Sequence, residues 1–129
     1  MSSLQIAASG LTADSMMLSV TANNLANANT NATATTPAYS SESVVMQALP
    51  PHQGVGQGVH VTGIVASAAP GPVTYDPASP FANAKGNVVG TNVSMAQQMA
   101  NMLEASTAYA ANVTAFNAAK GIDQRALTI

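Results

Sequence analysis

Two histidines, five carboxylates and a short run of alternating glycines are the residues of this sequence whose types could support chemistry. His52 and His60 are the only imidazoles, and Glu42 and Asp76 are the nearest carboxylates on either side. A metal centre needs three or four converging ligands, so this pair is incomplete and reads as surface or packing. Gly54-Val55-Gly56-Gln57-Gly58 has the spacing of a phosphate-binding loop, but such a loop must lead from a strand into a helix N-terminus. Here the glycines lead into Val59-His60-Val61-Thr62-Gly63-Ile64-Val65, an alternating strand pattern, and mark a turn instead. Asp14, Glu42, Asp76, Glu104 and Asp123 stand singly, so proximity implies no acid and base pair. No Ser or Thr occupies a nucleophile-elbow context. Asn31-Ala32-Thr33, Asn92-Val93-Ser94 and Asn112-Val113-Thr114 match the glycosylation pattern and read as chance in an Asn-rich chain. No catalytic residue, metal or cofactor is expected, and the chain is not read as an enzyme.

The composition points away from several partners. Of 129 residues only 3 are Lys or Arg and 5 are Asp or Glu, with a net charge of −2. Three cations cannot hold nucleic acid by counterion release or form a polybasic membrane patch. No apolar run is long enough to span a bilayer, and the N-terminus lacks the basic region of a cleaved secretory signal. Cys is absent, which removes disulfides and thiolate ligands. Ala supplies 26 residues and Ser, Thr and Asn another 35, so the surface consists largely of methyls, hydroxyls and amides. Such a surface has little charge repulsion to keep copies apart, and suggests a protein that works against neighbours.

The elements that must position these residues are mainly helical. Leu4, Leu11, Leu18 and Leu25 recur every seven residues, with Ala8, Ser15 and Ala22 four after the first three, predicting a helix through the first thirty residues with a coiled-coil-like stripe. Ser2 or Ser3 can cap its start. Ala22-Asn23-Asn24-Leu25-Ala26-Asn27 ends it, the amides being suited to the last carbonyls and to neighbouring backbones. Residues 29–38 read as a polar loop, Val44-Val45-Met46 as extended, and Val73-Thr74-Tyr75 as a strand able to pair with Val59–Val65 after the Pro70-Gly71-Pro72 turn. Ser94-Met95-Ala96-Gln97 has the form of a capping box. After it Met95, Met102, Tyr109 and Phe116 repeat every seven residues, offset by four from Met99, Ser106 and Val113, with Leu127 further on. The expected fold class is mainly α: two long terminal helices packed as an antiparallel coiled-coil-like pair, with a polar linker and a small β element between them. The divisions fall at 1–30, 31–93 and 94–129, together forming one assembly domain. The apolar stripes are thin for the chain length, so other copies or partner helices are expected to complete them.

At these residues the sequence resembles the bacterial flagellar axial proteins of rod and hook. The resemblance is carried by Ala8-Ser9-Gly10-Leu11, by Ala22-Asn23-Asn24-Leu25-Ala26-Asn27, and by the following Asn29-Thr30. Tyr75-Asp76-Pro77-Ala78-Ser79-Pro80, Asn92-Val93, Met102, Ala105-Ser106, Tyr109, Ala111-Asn112-Val113, Asn117, Lys120 and Leu127-Thr128 narrow it to the proximal rod family FlgC. The family's Pro-Gly-Tyr is here Pro37-Ala38-Tyr39.

The resemblance implies a structural subunit of the flagellar rod in the periplasm, exported through the flagellar type III apparatus without a cleaved signal and carrying torque from motor to hook. Its implied partners are copies of itself, the rod proteins FlgB, FlgF and FlgG, and the basal-body protein FliE. Leu4, Leu11, Leu18 and Leu25 are expected to face Met102, Tyr109, Val113, Phe116 and Leu127, or their equivalents in adjacent copies, with Met95 and Met99 on the same assembly seam. Asn23, Asn24 and Asn27 are expected to fix the helix end and the turn into the linker, with Thr30 completing the family motif. Another rod or hook-type protein is the near alternative, and a helical adaptor or chaperone with a Leu and Met groove the distant one.

Overall fold

A computed structural model describes residues 2–127. Helix α1 (Ser3–Ala26) opens on Ser2, whose hydroxyl accepts from Gln5 N while the Gln5 side chain accepts from Ser2 N, satisfying two of the helix's free donors at once. It stops at Asn27, whose amide reaches back to Asn23 O at 3.0 Å. Helix α2 (Met95–Ala126) opens on Ser94. Only half of the expected capping box forms there. Gln97 N donates to Ser94 Oγ at 3.4 Å, but the Gln97 side chain donates forward to Asn101 instead of back to the cap.

Between the helices lie two small antiparallel sheets. Strands β1 (Glu42–Ala48) and β2 (Val59–Ala66) form a hairpin closed by paired bonds between His52 and Val55. Gln53 and Gly54 at its tip have φ of 52° and 79°, the left-handed region that such a reversal needs. The register shifts between Val45 and Met46, and the hydroxyl of Thr62 on the facing strand bonds Val45 O at 3.0 Å. β3 (Val73–Tyr75) pairs with β4 (Asn87–Val89), not with β2 as the spacing had led one to expect. The Pro70-Gly71-Pro72 turn sets this choice. Gly71 lies against the Gly90 carbonyl with no space for a Cβ, and Gly90 N donates to Pro72 O at 2.8 Å, so the chain leaving the turn meets residues 87–90.

The helices touch along their length. Asn24 meets Gln98, Asp14 meets Asn112, and Gly10 lies under the Asn112 amide. The hairpin sits on α1, where Ser9, Thr12, Ala13 and Met16 face Val59, His60 and Val61. Among the described residues the buried apolar side chains are Ala7, Ala13, Val20, Ala105 and Ala119, and the largest side chain fully enclosed is polar, Asn24. No helix among the described residues is long and apolar enough to cross a membrane.

Candidate assembly surface

The Asn cluster at the end of α1 organises the whole junction. Asn24 is 1 % exposed, and its amide uses every hydrogen-bonding position it has. Nδ2 donates to Glu42 O at 2.8 Å and to Gln98 Oε1 at 3.0 Å; Oδ1 accepts from Glu42 N at 2.8 Å and from the Tyr39 hydroxyl at 2.9 Å. One side chain thus copies half of a β-ladder against Glu42, starting β1, and ties α1 to α2 and to the linker. Asn23 Nδ2 donates to the same Tyr39 oxygen at 3.2 Å, and Thr30 donates to Asn27 Oδ1. Burial, and after it the Glu42 carboxylate, pushes the Tyr39 phenol above its ordinary pKa, because both disfavour the phenolate. A second amide, Asn92, accepts from Ser41 N at 2.6 Å and donates to Ala69 O at 2.7 Å, while Thr91 Oγ1 donates to Ala28 O at 3.0 Å. No buried side-chain polar atom among the described residues is left without a partner.

The contact between the helices is made largely of small and polar residues. On α1 it runs Ala7, Gly10, Asp14, Met17, Thr21 and Asn24; on α2 it runs Gln98, Ala105, Asn112 and Ala119. A Cβ on Gly10 would stand 2.6 Å from Asn112 Nδ2, so glycine is what lets this amide sit over the helix and donate to Asp14 Oδ2 at 2.7 Å. That closeness offsets the roughly 1 kcal/mol that glycine costs inside a helix. Ser9, one residue earlier, accepts from Val59 N at 3.1 Å and abuts Gly58, whose φ of +89° and missing Cβ make room for it. The Ser9-Gly10 pair therefore docks the hairpin on one side and α2 on the other.

The apolar rows flank this polar seam. Leu4, Leu11 and Leu18 lie three residues before Ala7, Asp14 and Thr21; Met102, Tyr109 and Phe116 lie four after Gln98, Ala105 and Asn112. Residues three and four apart share a helix face, so these rows border the contact instead of filling it. Leu4, Leu11, Leu18, Leu25, Met102, Val113 and Phe116 are half-buried; Met95, Met99 and Tyr109 are exposed, as is Leu127 at 88 %. Leu11 and Tyr109 line one open hollow with Thr12, Ser15, Met16 and Ser19. Of the motif residues, Asn24 is buried and Asn27 half-buried, while Ala22, Asn23, Ala26 and Thr30 face outward. Covering the open part of each half-buried Leu, Met or Phe offers on the order of 1 kcal/mol per side chain. His52 and His60 are both exposed.

Gln98, Asp14 and Tyr39 are structural members of this surface that composition and periodicity did not single out. The nearest signal was the placement of polar residues at heptad spacing inside helices, where a solvated face is the ordinary reading.

Comparison with known proteins matches family models at both ends of the chain. Residues 4–31 match the family model described as flagella basal body rod protein, and residues 84–129 match the one described as flagellar basal body rod FlgEFG protein C-terminal. The flagellar basal-body rod protein FlgC of Escherichia coli O6:H1 is 38% identical over 124 residues, covering 96% of this chain and 92% of the relative. That of Salmonella typhimurium is 38% identical over 125 residues, with the same coverage, and that of Borreliella burgdorferi 32% over 145 residues, covering 99% and 95%. Similarity of this extent, running through both helices and the sheets between them, makes the chain a member of the FlgC family of flagellar basal-body rod proteins.

Proposed function

We propose that this chain is a non-enzymatic structural subunit of the proximal rod of the bacterial flagellar basal body, assembling with its own copies and other rod proteins into the shaft that carries torque from motor to hook. One observation carries the physical side of this reading: the enclosed side chains are alanines, one valine and polar groups, while the larger apolar residues lie open or half-open beside them. A subunit meant to stand alone would reverse that order. Residues 1–30 and 94–129 act as the axial segments of one assembly domain, packed as an antiparallel coiled-coil-like pair, and 31–93 as the linker and β element between them. Leu4, Leu11, Leu18 and Leu25, with Met95, Met99, Met102, Tyr109, Val113, Phe116 and Leu127, form the seam that adjacent subunits cover. FlgB, FlgF, FlgG and FliE are the proposed neighbours, the flagellar type III apparatus the proposed export route, and the periplasm the proposed site of assembly.

The test is genetic. In cells whose only copy carries Leu18→Asp or Phe116→Asp, basal bodies should lack a completed rod and swimming should be lost; normal motility with either change would remove the seam assignment. Circular dichroism across a concentration series should show helix gained on association, and full helicity at high dilution would speak against assembly-coupled ordering.

A further inference from the structure

We infer that two polar layers, Asp14–Asn112 and Asn24–Gln98, form a register lock that holds α2 at one position along α1 and blocks a slip by one heptad. The seam itself resists sliding poorly. Apart from Met17 and Thr21, its other members are Ala7, Gly10, Ala105 and Ala119, whose small side chains present nearly the same surface after a shift of seven residues. The row on α2, however, alternates Gln98, Ala105, Asn112, Ala119, so polar groups recur only every fourteen residues. A slip of seven would bring Ala105 beneath Asn24 and Ala119 beneath Asp14. Asn24 Nδ2 would lose the acceptor it has in Gln98, and the Asp14 carboxylate, 8 % exposed, would lose the Asn112 amide. Leaving buried polar groups unpaired disfavours the slipped state more strongly than it weakens any single contact. Buried polar residues at heptad positions are known to specify register in this way, at some cost in stability. The inference concerns the chain alone and stands whether or not the rod reading does.

Thr91 supplies a rival lock: its hydroxyl donates to Ala28 O just ahead of α2 and anchors the start of that helix to the end of α1. The experiment separates the two. The chain has no Cys, so spin labels can be placed uniquely at Ser15→Cys and Ala100→Cys, both exposed and well separated along the axis. Labelled full-length chain is diluted into an excess of unlabelled chain, at a concentration where helicity is saturated, and the distance distribution is read by electron–electron double resonance. The parent and Thr91→Ala should each give one narrow distance. The triple variant Asp14→Ala/Asn112→Ala/Gln98→Ala should retain its helicity and show a second population, displaced along the axis by about 10 Å for seven residues. Asp14→Asn, which keeps an amide partner for Asn112, should restore the single distance when Asn112 and Gln98 are present. A triple variant with one unshifted distance would overturn the inference, as would a slip produced by Thr91→Ala alone. Loss of helix in the triple variant would overturn it too, since the layers would then be stability elements and not a lock.

Discussion

The two ends of the helix pair are built on opposite principles. At the Asn24 end, amides from α1, α2 and the linker enclose one another, and every buried polar side-chain atom has its partner. The other end belongs to the longer helix, α2, which has 32 residues against 24 in α1. There Ile122 and Leu127 stand 68 % and 88 % exposed, and a Cβ on Gly121 would meet nothing within 4 Å. Hydrogen bonds demand direction and distance, so they define the shape of a single subunit; apolar area is indifferent to direction and remains useful for contact with whatever neighbour arrives.

Substitutions can break that contrast from either side. The largest effect should come from Asn24→Ala, which strands Glu42, Tyr39 and Gln98 together. Urea denaturation should show a loss of about 3 kcal/mol, since each unpaired buried group costs roughly 1–3 kcal/mol. A loss under about 1 kcal/mol would mean that water replaces the amide and that this end is no tighter than the other. Gly58→Ala comes next, at about 2 kcal/mol, because it combines a left-handed backbone with the Ser9 contact. Its effect should appear as loss of the hairpin's amide exchange protection ahead of the helices. At the open end Gly121→Ala should stabilise by about 1 kcal/mol, the helix-propensity difference, and a rise in melting temperature checks it.

Ionisation offers a finer probe. The folded Tyr39 phenol holds its proton to higher pH than the unfolded one. Stability is therefore complete below about pH 10, the ordinary tyrosine value, and falls as pH rises through the folded value. Tyr39→Phe should flatten that part of the profile, and an unchanged alkaline slope would place its cause elsewhere. The smallest expected change is in Leu127→Ser, within about 0.5 kcal/mol in the isolated chain because the side chain is already in water. Its consequence should be confined to association, read by sedimentation against the parent.

Much of the fold was legible because helices announce themselves by period and caps. Seven-residue spacing, the serines at 2 and 94, and the Asn cluster at 23–27 located both helices to within a few residues. Phase was harder. Two stripes of equal period run side by side on each helix, one rich in Leu or Met and one of Ala, Gly and amides, and periodicity alone cannot say which faces the other helix of the same chain. The small stripe takes that place because Gly10 and the alanines let the backbones approach until Asn112 and Asp14 can bond. The pairing of β3 with β4 was hidden for a similar reason: a three-residue strand carries no register information, and the backbone contact of Gly71 with Gly90 spans a sequence gap that no local pattern bridges.

By itself the sequence determined that this chain has two heptad helices, a polar junction, hardly any charge, and an apolar content too thin to close a core of its own; each of these depends on residue type and spacing, which act locally. Only the tertiary structure decided which polar groups meet. Asn24 makes four hydrogen bonds to Tyr39, Glu42 and Gln98, three residues in two distant segments, and a hydrogen bond exists only when both atoms arrive within about 3 Å in the right direction, a condition set by how the segments pack and by no residue alone.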